Sequence, residues 1–518
     1  MQAGGISILN DVLGPVMRGP SSSHTAASYH IGRLVAALLG APPIRARVAF
    51  DPGGSYGKVY SQQGVDRGFA MGLLDLPLTD PRFYQALDAV ASRGIKLIFE
   101  VCPLPDPDHP NTADIQLRAS DGQTLDVRAR SVGGGAVEIT RIDGWPVLVT
   151  GQTHEVLFEL SGAAEARVRA LLAGDGNLLA EPSCQLRSGR ILLHARRRQP
   201  LGRELRATLA TADGVVWMRE APPLAYIKQG LPLFQSADEM VARAEERGCS
   251  LGHLALAHEA ALLGIGDPDV CAEMARRVDV MRAAVSQGLC ERIPDMQLLM
   301  PTASRIFRAD AEGKLAIGGL HTRAAIRALA AMHINSGMGV VCAAPTGGSA
   351  GVLPGVLTTL IEERGLDREQ ATLAALAAGA VGVIVGTRAT FAAEIAGCQV
   401  EIGAAGAMAA AAVVEAGGGT PRQAVDAAAV SFQNTMGSVC DLVQGTVEIP
   451  CHTRNAVAAS SAFVCADLVM GGYANPIPLD ETIDAVLAVG KMLPPELRVT
   501  SLGGLALAPS ALKLQRRK

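Results

Sequence analysis

The spacing of apolar residues divides the chain into three regions. Up to about residue 145, short alternating stretches are mixed with helix-like ones. "IRARVAF" alternates and breaks at "DPGGSYG", while "RFYQALDAVASRGIKLIFEV" reads as a helix running into a strand, so 1–145 is predicted to be an α+β domain. From 146 to 225 six elements follow one another. "HEVLFEL" is strand-like, "GAAEARVRALLAG" helical, "NLLAEPSCQL" and "RILLHARRR" strand-like, "GRELRATLATA" helical, and "GVVWMREA" a last strand. This βαββαβ order predicts a ferredoxin-like middle domain. After the linker "PPLAYIKQGLPLF" the pattern becomes helical, and 236–518 is predicted to be an all-α domain. Polar faces are scarce between 371 and 414, so several of its helices should be buried on every side.

Composition fits this multidomain reading. At 518 residues, two or three domains are expected. With 46 basic and 50 acidic residues, a net charge of −4 and no basic stripe, the chain is not expected to bind nucleic acid. Hydrophobic residues make up 49% and aromatics only 3%, with 57 glycines, so the core should be Ala, Val, Leu and Gly in close contact. One uncharged run of helical pattern, Ala371 to Thr387, is 17 residues. A spanning helix needs about 20 strongly apolar ones, which favours a buried core helix over a membrane segment. "MQAGGISILNDVLGPVMRGP" lacks a basic stretch followed by an apolar one, so no secretory signal is read and a cytoplasmic location is expected. Ten cysteines in such a chain point to buried thiols, metal or redox chemistry rather than disulfides.

Three of these cysteines have motif-like surroundings: Cys398 in "AGCQVEIGAAG", Cys440 in "MGSVCDLVQGTVEIP" and Cys451 in "EIPCHTRN". None forms a Cys-x-x-Cys knuckle. Taken alone they suit packing thiols, a zinc site completed by His452, or an iron–sulfur cluster on three thiolates. The last would leave one iron open to act as a Lewis acid. "GPSSSHTAAS" offers either a helix N-cap or half of a site whose other half lies elsewhere. "PTGGSAGVLPG" is a turn between buried helices or a place where Thr346, Gly347, Gly348 and Ser349 hold a carboxylate at a helix N-terminus. Asn335 and Ser336 in "HINSGMG" are candidates for the same pocket.

"GPSSSHT", "SVGGG" at 131–135, "CAAPTGGSAGVLPG" at 342–355 and the three cysteine motifs, in that order, resemble the bacterial iron–sulfur-dependent L-serine dehydratases. In that family a β and an α part occur separately or fused. Here they look fused, 1–145 corresponding to the β part and 236–518 to the α part, and the segment 146–225 between them resembles an ACT-type regulatory domain. The resemblance implies a [4Fe-4S] cluster with Cys398, Cys440 and Cys451 as its three protein ligands. It implies Ser21, Ser23 and His24 as catalytic groups, and Thr25, Ser131, Gln63 and Asp66 as substrate contacts beside Asn335 and the 346–349 loop. Cys342 and the other six cysteines are taken as packing residues. The implied substrate is a small amino acid, L-serine, deaminated to pyruvate and ammonia, and pairing of ACT-like sheets implies a homodimer. Pyridoxal phosphate is not expected, because no lysine lies between Lys314 and Lys491.

There are departures from the family pattern. "QQGVD", with Gln63 and Asp66, stands where the family has Gly-His-Gly-Thr-Asp, and Leu442 and Gln444 replace a more usual Pro and Ala. "LKLQRRK" carries no cysteine that could cap the fourth iron position. These leave two other readings: the same elimination on threonine, cysteine or a larger serine derivative, and a regulator that no longer turns over.

Overall fold

The computed structural model describes residues 5–290 and 296–517. Its strands, in chain order, are β1 (Val16–Arg18), β2 (Pro43–Phe50), β3 (Lys96–Val101), β4 (Thr112–Ala119), β5 (Thr124–Gly133), β6 (Ala136–Ile142), β7 (Trp145–Val149), β8 (His154–Ser161), β9 (Ser183–Arg187), β10 (Arg190–Arg197), β11 (Val215–Ala221) and β12 (Val340–Cys342). The fold is a mixed α/β multidomain arrangement with a helical C-terminal region.

The first sheet runs β3-β2-β4-β5-β6-β7, with β2 and β3 parallel and its other neighbours antiparallel. Its last strand continues to Val149, through the point at which the apolar spacing changes. Helices α1 (Ala27–Leu39) and α2 (Val65–Leu73) pair with each other. Ile31, Leu34 and Val35 of α1 bury against Val48, Ile115 and Val127 of the sheet. The two helices touch backbone to backbone: a Cβ on Gly68 would lie 2.5 Å from the Thr25 carbonyl oxygen, so only glycine fits. This contact fixes the start of α1, where "SSSHT" sits.

The middle unit has its own apolar core of Val156, Phe158, Leu160, Val168, Leu193 and Leu209. Its strands lie in the order β11-β8-β10-β9, all neighbours antiparallel, with helices Glu165–Ala173 and Arg203–Ala210 in the connections. It is tied to the first unit by Arg219, which donates to the Leu38 and Thr124 carbonyls and to Asp143.

The helical region is built from α3 (Leu251–Leu263), α4 (Asp267–Gly288), α5 (Leu320–Ser336), α6 (Val352–Arg364), α7 (Arg368–Arg388), α8 (Ile402–Ala416), α9 (Pro421–Gln433) and α10 (Cys451–Met470), with shorter helices around them. The spans Arg368–Arg388 and Cys398–Ala416 are long and apolar enough to cross a membrane, but 78% and 89% of their apolar windows are buried inside the fold. Their surplus of Ala and Gly is what lets neighbouring helices pack this closely.

One contact between regions goes beyond what the spacing reports. Residues Ile8–Val12, read as part of the first region, belong to the helical core. Ile8 and Val12 fill the space over Gly379 and Gly382 of α7, where a Cβ would lie 2.4 and 2.1 Å from their side chains. β1 then pairs antiparallel with β12, Val16 opposite Cys342. Apolar periodicity cannot report such a crossing, because it records which side of a segment is buried and not what covers it.

The N-terminal segment is held by a buried carboxylate. Glu259 of α3 accepts from Ser7 Oγ at 2.5 Å and from the amides of Ile8 and Leu9 at 2.7 and 2.9 Å, and burial pushes its pKa up. Glu259→Ala should lower unfolding stability by about 3 kcal/mol, since three buried donors lose their acceptor. Denaturant unfolding checks this, and a change below about 0.5 kcal/mol would show that the anchor is dispensable.

Candidate active site

Ser21 is extended and is followed by a wide helical turn over Ser22–Ala26 that runs directly into α1. The turn places the His24 imidazole in full burial between two hydroxyls. Nδ1 is 3.0 Å from Ser21 Oγ and Nε2 is 2.9 Å from Ser55 Oγ, with the Tyr56 ring edge-on at 5.3 Å. Burial lowers the His24 pKa to about 4, so the imidazole is neutral near pH 7. One ring nitrogen therefore donates and the other accepts.

This segment is stitched onto the helical region. Asn335 Nδ2, at the end of α5, donates to the Pro20 carbonyl at 2.9 Å, and the Gly347 amide donates to Ser22 Oγ at 3.2 Å. A Cβ at Gly347 would lie 2.8 Å from the Ser22 nitrogen and 3.0 Å from the Pro20 oxygen, so the loop residue must be glycine. On the other side Gln63 Nε2 donates to the Gly445 carbonyl at 3.0 Å.

Between these stitches lies a narrow cavity. Ser21, Ser23, His24 and Gln63 line it from the first unit; Gly348, Glu394, Cys398, Glu401, Cys440 and Cys451 line it from the helical region. The three thiols are all buried. Cys398 opens a short turn before α8, Cys440 sits in the loop after α9, and Cys451 is the first residue of α10. A hydrogen bond from Cys440 pushes the Cys398 pKa down, and Arg454 favours the same thiolate, while Cys440 is raised by that hydrogen bond and by burial, and Cys451 by burial and neighbouring negative charge. Arg454 donates to the Val439 carbonyl at 2.7 Å and pairs with Asp441 at 3.0 Å, which places a guanidinium beside the thiols.

A carboxylate oxygen of Glu401 lies with the Cys398 and Cys440 sulfurs in a group whose atoms are all within 4.8 Å of one another, close enough to share a metal ion. Burial, Cys398 and Glu394 raise the Glu401 pKa well above the usual carboxylate range, and a hydrogen bond with the Thr346 side chain opposes this. Glu394 accepts from Asn111 Nδ2 at 3.1 Å. Sequence reasoning passed over Glu394, Glu401, Ser55, Tyr56 and Arg454. Of these Glu401 carried a signal: it stands three residues after Cys398, one short turn away.

Several residues expected to meet substrate are engaged elsewhere. Thr25 Oγ1 donates to the Gln63 carbonyl at 2.7 Å, and Ser349 Oγ to the Ala344 carbonyl at 3.1 Å. The amides of Gly347, Ser349, Ala350 and Gly351 donate within the protein, and Gly348 is the glycine of this loop that lines the cavity. Asp66 accepts from the Arg67 amide at 2.8 Å, Ser131 is buried beside Tyr56, and neither lines the cavity. Ser336 donates to the Val447 carbonyl at 2.7 Å and pairs with His452, supporting the wall from outside.

If the Gly347 contact seats the "SSSHT" turn, Gly347→Ala should loosen it. The expected outcome is an overpacking cost of about 1–3 kcal/mol and faster amide hydrogen exchange across Ser22–Ala27, with exchange in the first sheet unchanged. Unaltered exchange in the turn would show that other contacts hold it.

Comparison with known proteins places the helical half of this site. Residues 228–506 match the family model described as serine dehydratase alpha chain. The chain is 37% identical over 285 residues to the probable L-serine dehydratase, alpha chain, of Bacillus subtilis (strain 168), covering 55% of this chain and 95% of that protein. It is 34% identical over 285 residues to the L-serine dehydratase, alpha chain, of Peptoniphilus asaccharolyticus, covering 55% and 98%. It is 32% identical over 283 residues to L-serine dehydratase 1 of Escherichia coli (strain K12), covering 53% of this chain and 62% of that protein. The thiols, Glu401 and the glycine loop all fall within the matched span, and the chain belongs to the serine dehydratase alpha chain family.

Proposed function

We propose that the chain is an L-serine dehydratase, a lyase that eliminates water from L-serine and releases pyruvate and ammonia. The observation that carries this is the meeting, in one cavity, of the family's buried thiols with the neutral Ser21–His24 pair. The donor set fits an iron–sulfur cluster: the buried thiols of Cys398 and Cys440 converge with the Glu401 carboxylate, Cys451 lines the same cavity, and Arg454 compensates part of their charge. Cys398, Cys440 and Cys451 would hold a [4Fe-4S] cluster, which supplies a Lewis acid for a hydroxyl leaving group.

The chain's own residues account for the proton. L-serine must lose its α-proton and its β-hydroxyl, and the neutral His24 imidazole, polarised through Ser21 on the cavity wall, is the base for the first. Ser55 holds the far ring nitrogen and so fixes the ring plane. The Cα–H electron pair becomes the C=C bond as the C–O bond breaks, and the hydroxyl leaves as water with one added proton. The resulting aminoacrylate tautomerises to an imine, which takes up water and gives pyruvate and ammonia. No lysine is among the residues lining the cavity, which supports a route without a Schiff base. Gln63, bonded to Gly445, serves as a stitch between the units in this reading.

The middle unit is read as ACT-like on its strand order, with 1–145, 146–225 and 236–518 as the working domains. The unpaired edge of β9, with Leu186 exposed, supports a homodimer formed by sheet pairing. Ten free thiols suit a reducing cytoplasm.

Anaerobic reconstitution with iron and sulfide, followed by pyruvate assay on L-serine, L-threonine and L-cysteine, tests the reading. Serine turnover lost in air is expected, and a loaded protein that eliminates only from threonine or cysteine would reassign the substrate. Cys440→Ser should lose visible absorbance together with turnover; retention of both would remove Cys440 from the ligand set. His24→Asn should keep the absorbance and lower kcat by roughly a hundredfold or more. Because His24 is protonated only near about pH 4, the acid limb of kcat/KM should fall well below the ordinary histidine value of 6.5. A limb at that ordinary value would contradict a buried neutral base.

A further inference from the structure

The compact donor group of the cavity is Cys398, Glu401 and Cys440, in which a carboxylate stands where the sequence pointed to a third thiol. Cys451 lines the same cavity. Glu401 is placed rigidly: its amide donates to the Cys398 carbonyl at 3.1 Å, and its own carbonyl accepts from Ala405 in the first turn of α8 at 2.9 Å. Its carboxylate lies across Gly348, where a Cβ would approach Oε1 and Oε2 to 3.4 and 3.5 Å. Among the described residues no arginine, lysine or histidine forms an ion pair with Glu401. Its charged neighbours are Cys398 and Glu394, and the Thr346 hydroxyl faces it. Arg454, the cation near the thiols, is already bonded to Asp441 and Val439. A carboxylate aimed at two thiols with no counter-cation is costly unless a cation fills the gap.

We propose that Glu401 is a fourth protein donor to the metal group, holding through its carboxylate the coordination position that the substrate must take. This rests on the iron–sulfur reading above. In the substrate-free protein the carboxylate excludes water from that position. Glu401 would yield this position to L-serine with no change in oxidation state, its carboxylate kept by the Thr346 hydroxyl that already faces it. Glu401 thereby guards the site and is a gate for the substrate.

The test compares wild-type, Glu401→Gln and Glu401→Asp proteins, each reconstituted anaerobically with iron and sulfide. Iron and sulfide content, the electron paramagnetic resonance of the reduced cluster in ¹⁷O-enriched water, and the rate of iron release to EDTA are read, none of which needs turnover. Equal iron and sulfide contents are expected. Line broadening by ¹⁷O should appear in Glu401→Gln and be absent from wild type and Glu401→Asp. Iron release should be roughly tenfold faster in Glu401→Gln, a size typical of lost support at a metal site, and L-serine should abolish the difference. Equal broadening in wild type and Glu401→Gln, or equal release rates, would overturn the proposal, because water would then already hold the position. Folded wild-type protein that takes up no iron or sulfide would instead overturn the iron–sulfur reading itself.

Discussion

The contact between the Pro20–Ser22 backbone and Gly347 is the constraint on which the site depends. It joins the first unit to the helical region at a distance that admits no side chain. Everything catalytic is arranged about it. Ser21 is part of it and His24 follows two residues later on one side, and Gly348 lies immediately after it on the other, facing Glu401. Asn335 and Gln63 add one hydrogen bond each and Asn111 bonds Glu394 across the same interface, so the two units are held around a cavity that neither encloses alone.

The same logic explains the placement of the N-terminal segment. Ile8 and Val12 enter the helical core, and β1 pairs with β12, so the linkage between units begins before the first sheet. The covalent path from β1 to His24 is only a few residues long. Docking Ile8–Arg18 onto the helices therefore delivers the "SSSHT" turn to the cavity with little freedom left, a local way to pre-organise groups that lie far from the thiols in sequence.

Electrostatics then decides what the cavity can hold. Three thiols and two carboxyls face it, and one guanidinium stands beside them. That imbalance favours a multiply charged cationic occupant. A neutral histidine across the gap is suited to accept a proton from a carbon acid, because one ring nitrogen is unprotonated and the ring carries no charge to repel the metal.

Much of this was legible in the sequence. Alternation and helical spacing reported the βαββαβ series and the buried Ala-rich helices, because each depends on a local period that burial imposes. The motifs named the thiols and "SSSHT", because few residue types can do that chemistry. The three-residue pairing of β1 with β12 was not legible, since two such short strands carry no period and lie more than three hundred residues apart. Nor did the sequence show that the Thr25 and Ser349 hydroxyls are engaged inside the protein, or that Glu401 stands beside the thiols. The sequence by itself determined which donors, acids and bases are available and which stretches are buried. Only the tertiary structure decided which of them share the cavity and which are already bonded, because a hydrogen bond or a 4.8 Å approach between distant segments is a property of packing and leaves no trace in local pattern.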